Sequence, residues 1–180
     1  VLADFEEPPA EDRTAFLRDL GQVLARNRKG LFVPERYGSQ VEQSAVMICT
    51  ALSGGNLRQR LDECIQRFGK GRLTLDLQRL QMSFPLPCPT GEGAPLSETE
   101  LAGMLSEKGQ SVFYSHDLCA KYFTFSDGEK SRFVLFDDAD TLRRKLRLGQ
   151  ELGIAWGFLM YPEVEDLLPE LMGRRRQGQQ

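Results

Sequence analysis

Short apolar segments and amphipathic helical segments take turns along this chain, with only a few residues between them. Val1 to Phe5 reads as a buried strand ending in acids. After Pro8 and Pro9, Glu11 and Asp12 suit the first turn of a helix, where carboxylates meet the positive end of the dipole. Phe16, Leu17, Leu20, Val23 and Leu24 recur at helical spacing to about Asn27. Leu31 to Val33 is a second short strand, and Ala45 to Thr50 a third. Leu57, Leu61, Cys64, Ile65 and Phe68 mark the next helix, which Gly69 and Gly71 end. Arg72 to Leu77 alternates as a fourth strand. This order predicts an α/β fold, a parallel sheet with helices outside it, because parallel neighbours are joined by crossovers that pack back on the sheet.

The rhythm changes between about Pro85 and Phe136. Pro85 to Pro95 holds four of the nine prolines and reads as a loop. Ser97 with Glu100 is a capping box that opens a helix to about Glu107. Val112 to Tyr114, Tyr122 to Phe125 and Arg132 to Phe136 are strand-like, with a hairpin signal at Asp127-Gly128. This stretch is expected to be a small antiparallel insert. Asp140 to Leu152 is then an amphipathic helix ended by Gly153, Ile154 to Tyr161 an apolar strand, and Val164 to Met172 a last helix. One domain over 1–172 is expected, followed by a polar tail at 173–180.

Composition removes several function classes. Formal net charge is −3, from 23 basic and 26 acidic residues, which argues against nucleic acid as a partner. No apolar run approaches the ~18 residues of a membrane span. His116 is the single histidine and no C-x-x-C pair exists, so no metal site and no cofactor are expected. Cys49 and Cys64 fall in apolar segments, where reduced thiols are common. No signal-peptide pattern opens the chain.

The chemistry is sought at strand ends, where α/β folds place their sites. In Asp4-Phe5-Glu6, strand alternation turns Asp4 and Glu6 to one side, together with Leu2, and Ala3 and Phe5 to the other. Residues two apart on a strand lie ~6.6–6.8 Å apart. Neighbouring carboxylates favour the protonated form, a route to a proton-donating acid at neutral pH. Glu35 and Glu163 are expected on the same rim as candidate binding residues. Asp137 is a candidate contact for a ligand hydroxyl, and Asp138 or Asp140 a helix cap. Tyr161 offers an aromatic platform, whereas Trp156 reads as packing, and Tyr37 and Tyr114 as loop or edge aromatics.

Asp4-Phe5-Glu6, then Pro8-Pro9-Ala10-Glu11-Asp12-Arg13 and Phe16-Leu17-Arg18-Asp19-Leu20, resemble family 18 glycoside hydrolases of the spore-germination and cortex-lytic type. Tyr122 to Phe125, Asp127-Gly128, Phe136-Asp137-Asp138-Ala139, Lys145 and Leu152-Gly153-Ile154 resemble the same group toward its last barrel strand. The resemblance implies a partial (β/α)8 barrel of the TIM type, about strands four to eight, with about three strands upstream of Val1. Isolated, such a piece is expected to expose apolar sheet edge and to lack activity. The resemblance also implies a substrate-assisted retaining mechanism on N-acetylated, chitin- or peptidoglycan-like glycans. Glu6 would protonate the glycosidic oxygen and Asp4 would orient the 2-acetamido group. It further implies work outside the cell or at the spore envelope. The segment Cys49-Thr50-Ala51-Leu52 departs from the family, which has a tyrosine and an aspartate there. An inactive barrel that binds glycan or protein is the alternative.

Overall fold

The computed structural model describes residues 1–107, 111–127 and 130–173. The chain divides into two compact units. The first comprises Val1–Thr50, Arg58–Leu77 and Leu146–Leu159, and the second Ala51–Leu57, Gln78–Lys145 and Met160–Gln180.

The first unit is built on a parallel sheet of β1 (Phe32–Pro34), β2 (Ala45–Cys49), β3 (Leu73–Asp76) and β9 (Trp156–Phe158), in the order β1-β2-β3-β9. Helices α1 (Glu11–Arg26) and α2 (Leu57–Phe68) fall between successive strand segments. The sheet and its parallel pairing agree with the alternation read from the sequence. The expected strand at Val1 to Phe5 reduces to one bridge, Leu2 to Phe32. Phe32 N donates to Val1 O and Ala3 N to Phe32 O, both at 2.9 Å. The next rung would require a donor at Pro34, which has no N–H, so the ladder stops.

A cluster of Ala3, Leu17, Leu31, Val33, Tyr37 and Val41 forms one part of this unit's core beneath α1, with Phe5, Leu20 and Leu24 against it. The stripe of α1 is therefore narrower than its apolar residues suggest: Phe16 and Val23 stand exposed. Tyr37, expected at a loop or edge, is wholly buried in this cluster.

The second unit contains an antiparallel sheet of β4 (Gln81–Leu86), β5 (Ala94–Pro95), β6 (Phe113–Ser115), β7 (Ala120–Asp127) and β8 (Lys130–Phe136), in the order β5-β4-β8-β7-β6. It begins at Gln81, inside a stretch whose second half read as loop. β5 covers only Met82 and Ser83, so β4 is an edge at Pro85, where a missing N–H is tolerated. β7 and β8 pair as the hairpin signal implies, down to Asp127 opposite Lys130; Gly128 lies outside the described residues. Helix α3 (Glu98–Ser106) opens with the expected capping box: Ser97 Oγ accepts from Glu100 N, and Glu100 accepts from Ser97 N. Its Leu101 packs with Leu96, Phe123, Val134 and Phe136.

Helix α4 (Ala139–Glu151) crosses the boundary between the units after Lys145. Gly153, at φ 80°, turns the chain out of it. The expected last helix is two short ones, α5 (Tyr161–Val164) and α6 (Leu168–Leu171). Pro162 and Pro169 each sit in a first turn, where a missing donor costs least, so each starts a helix anew. The polar tail expected over 173–180 lies outside the described residues beyond Gly173.

Candidate functional site

In the first unit, strand register assigns side chains to faces. Pro34, Met47, Thr74 and Trp156 form one row across the sheet, and Cys49, Asp76 and Phe158 the next. Phe32 and Ala45 precede them on the same face, bridged by Leu2. Val46 and Leu75 point the other way. A Cβ on Gly38 would lie 2.9 Å from both Val46 methyls, and one on Gly149 of α4 2.6 Å from Leu75 Cδ1. The helices therefore pack against that second face.

The first face is concave. Phe32 on β1 and Phe158 on β9 meet edge to face, with centroids 4.9 Å apart and planes at 88°. Three inter-strand steps of ~4.8 Å would separate their strands by ~14 Å in a flat sheet. The rings touch because the sheet curls toward them.

Exposure alternates along the opening segment. Ala3 is buried and Phe5 packs on the helix-side core, whereas Leu2, Asp4 and Glu6 are exposed. The segment is held from the 3-10 turn Glu35–Tyr37 that follows β1. The Arg36 guanidinium donates to the Glu6 carbonyl. The Tyr37 hydroxyl donates to Glu7 O at 3.1 Å, with its ring 6.0 Å from Phe5. These contacts fix the backbone that carries Glu6 and leave its carboxylate outward.

The other acids expected at the rim are differently engaged. Glu35 turns onto α2, where Arg60 Nη2 donates to it at 2.5 Å and the Cys64 thiol lies at 3.9 Å. Desolvation, then Glu35, pushes the Cys64 thiol up to about 11. Glu35 thus belongs to a helix contact rather than to the concave face.

In the second unit, Asp137 is buried with Lys145, their charged atoms 2.6 Å apart. The same carboxylate accepts from Leu80 N at 3.0 Å and from the Thr141 hydroxyl at 2.8 Å. This corrects the expected ligand contact: at 1% exposure Asp137 offers no edge to a sugar hydroxyl. Asp138 is the cap of α4, its Oδ1 accepting from Asp140 N and Thr141 N at 3.0 Å. Glu163 accepts from Arg79 N at 3.2 Å. The Arg79 guanidinium also binds Asp166 at 2.7 and 3.1 Å and Glu98 at 2.8 Å, which anchors the α5–α6 segment. Glu163 is thereby part of that anchor. Tyr161 remains an exposed ring, its hydroxyl 2.7 Å from Glu165, which holds the phenol above its ordinary range.

Two features escaped the sequence reading. Trp156 is 69% exposed, not packed, because it stands on the concave face of an edge strand. Asp76, at the end of β3, stands between Cys49 and Phe158 on that face. Its signal was the alternation Leu73-Thr74-Leu75-Asp76, which places a carboxylate opposite the leucines. A separate hollow of about 290 Å³, lined by Arg18, Gln22 and residues 39–43, contains none of the predicted site residues. Among the described residues, no group of three or more His, Cys, Asp or Glu could hold a metal ion, and no helix is long and apolar enough to cross a membrane.

The class defined so far is an α/β protein with a curved parallel sheet and an antiparallel sheet. No protein-family model and no curated protein matches the chain. Solved structures do. The ydhD protein of Bacillus subtilis, described as a sporulation-specific glycosylase, aligns with a TM-score of 0.66 at 16% identity, over 87% of this chain and 63% of its own. The spore cortex-lytic enzyme SleL of Bacillus cereus aligns with a TM-score of 0.64 at 20% identity, over 94% and 48%. A chitinase of Chromobacterium violaceum aligns with a TM-score of 0.64 at 14% identity, over 89% and 60%. The chain thus spans about half to two thirds of these relatives' length, and shares their fold. The resemblance read from the sequence pointed to the same group.

Proposed function

We propose that this chain carries the acid-bearing portion of a glycoside hydrolase acting on N-acetylglucosamine-containing glycans, of chitin or peptidoglycan type. The observation that carries the reading is that Asp4 and Glu6 are both exposed, with Phe5 half-buried between them, in a chain whose fold is shared with cortex-lytic enzymes and a chitinase. In this reading Glu6 donates its proton to the glycosidic oxygen as the bond to the anomeric carbon breaks. The substrate's own acetamido oxygen attacks that carbon from the opposite side. Asp4 orients the acetamido group and balances the positive charge that develops on it. Water then opens the cyclic intermediate with Glu6 acting as base, so configuration is retained. Tyr161 is an aromatic platform in the same proposal. The partial barrel of strands four to eight also belongs to it.

The test uses the full-length natural protein with chitin oligosaccharides and cortex peptidoglycan as substrates. Glu6→Gln keeps the side chain's size and removes the transferable proton. Cleavage is expected to fall about 10²- to 10⁴-fold. Turnover equal to that of the unaltered protein would remove Glu6 from this role.

A second reading is a barrel that binds glycan or protein without turning it over. The segment Cys49-Thr50-Ala51-Leu52, with neither tyrosine nor aspartate, favours it. Calorimetric binding of chitin oligosaccharides with no product released would support that alternative.

A further inference from the structure

The hollow of about 290 Å³ lies between α1, which supplies Arg18 and Gln22, and residues 39–43, which lead from the 3-10 turn into β2. No helix or strand includes that segment, yet side chains hold its carbonyls. Arg72 donates to Gly38 O, Val41 O and Ser44 O, each at 2.9 Å. Ser44 Oγ donates to Val41 O at 2.7 Å, and Arg18 Nε to Gln40 O at 2.8 Å. Arg67 Nη2 donates to Ser39 Oγ at 3.0 Å, which leaves the hydroxyl proton for another acceptor. Val41, 1% exposed, pins the segment to the core cluster. The hollow is therefore preformed, and its volume is near the ~300 Å³ at which small-molecule sites begin.

The lining is mostly polar and carries one charge of each sign, Arg18 and Glu42. Among the described residues neither forms an ion pair, and Arg18, anchored through Nε, keeps both terminal amines of its guanidinium uncommitted. Gln22 and Gln43 add amides, each donor and acceptor at once. Gln40 is half-buried, and its Oε1 is shut from water with no hydrogen-bond partner among the described residues. A polar atom in that state is costly. A cube of the hollow's volume has an edge of about 7 Å, the span of two extended residues at ~3.3–3.6 Å each.

We propose that this hollow binds a free dipeptide, its carboxylate on Arg18 and its ammonium on Glu42. Gln40 Oε1 accepts from the peptide N–H after a turn of the amide about its last torsion, which is broad and soft. Ser39 donates to the peptide carbonyl. One small ligand with opposite charges at its two ends satisfies both side chains, whereas an uncharged sugar satisfies neither. The site takes no part in the cleavage proposed above and does not depend on that reading.

The experiment uses the full-length natural protein with alanyl-alanine as the probe, its binding followed by ligand-observed NMR. Two analogues remove one charge each: N-acetyl-alanyl-alanine lacks the ammonium, and alanyl-alanine amide lacks the carboxylate. Each should bind about 3- to 10-fold more weakly, the scale of one partly exposed charged contact. Glu42→Gln should weaken alanyl-alanine by the same factor and make the protein indifferent to N-acetylation. Arg18→Gln should do likewise for amidation, because a variant that lacks the partner no longer senses the ligand's charge. Both side chains are exposed, so melting temperatures should hold. No binding of alanyl-alanine at millimolar concentration overturns the site. Equal affinity for the three ligands overturns it too, as does binding that both substitutions leave unchanged. Should a variant fail to fold, the three ligands on the unaltered protein still decide the matter.

Discussion

The ammonium of Lys145 lies 2.6 Å from the carboxylate of Asp137, and neither side chain reaches solvent. The pair lies between the end of β8 and the second turn of α4, which starts at Ala139. Leu80 N and the Thr141 hydroxyl complete the carboxylate's hydrogen bonds. A buried ion pair is tolerable only when its remaining valences are satisfied in this way.

Lys145→Met should therefore destabilise the protein by about 3–5 kcal/mol at neutral pH, since it leaves a buried carboxylate alone. Burial already raises the Asp137 pKa, against the opposing pull of Lys145. Without Lys145 it rises further. A carboxyl whose folded pKa lies above its unfolded value contributes stability that is present at low pH and lost as pH rises through the folded pKa. Urea unfolding at pH 4 and pH 8 should show the larger deficit at pH 8. An equal deficit at both values would mean that Asp137 does not take up the proton.

Gly38 lies at φ −56° and ψ −33°, a conformation alanine adopts freely. Its difficulty is space: an added Cβ would meet Phe68 at 2.8 Å and both methyls of Val46 at 2.9 Å. Val46 is a stiff, fully buried strand residue. Gly38→Ala should cost about 1–3 kcal/mol of stability. Thermal unfolding would check this, and Gly54→Ala, with nothing within 4 Å, serves as the control.

The Cys64 thiol, pushed from 9.0 up to about 11, holds roughly a hundredfold less thiolate at pH 8 than an ordinary cysteine. It is also 4% exposed. Iodoacetamide at pH 8, followed by peptide mass spectrometry, should modify the half-buried Cys88 well before Cys64. Equal rates would place Cys64 in solvent.

Tyr37→Phe keeps the ring against Phe5 and removes the hydroxyl that binds Glu7 O. The stability loss should be near 1 kcal/mol. If Glu6 is the proton donor, the loosened backbone should lower kcat several-fold with little change in KM. Steady-state kinetics on chitin oligosaccharides separates the two parameters.

Local chemistry explains which parts of the fold were legible. Ser97 and Glu100 cap α3 as their spacing requires, because a capping box closes within one turn. The parallel order of β1, β2 and β3 follows from alternating strands and helices. Shortfalls arise at prolines whose effect depends on neighbours. Pro34 ends the Leu2 bridge because the missing donor faces Ala3, whereas Pro85 is harmless because β5 does not reach it. Among the candidate site residues, the exposure of Asp4 and Glu6 on either side of the half-buried Phe5 agrees with the alternation read from the sequence. Asp137, Glu35 and Glu163 could not be sorted in that way. Their partners Lys145, Arg60 and Arg79 are 8, 25 and 84 residues away in the chain.

By itself, the sequence determined what is periodic or local: the alternation of strands and helices that gives the parallel order of β1, β2 and β3, and the capping box that opens α3. Only the tertiary structure decided which acids are spent on structure and which face outward. It turned Glu35 onto α2, buried Asp137 with Lys145, and curled the sheet so that Phe32 meets Phe158 above the face bearing Thr74, Asp76 and Trp156. The physical reason is that a carboxylate's role is set by its partners and its access to water. Both depend on contacts between residues far apart in the chain, which no local pattern encodes.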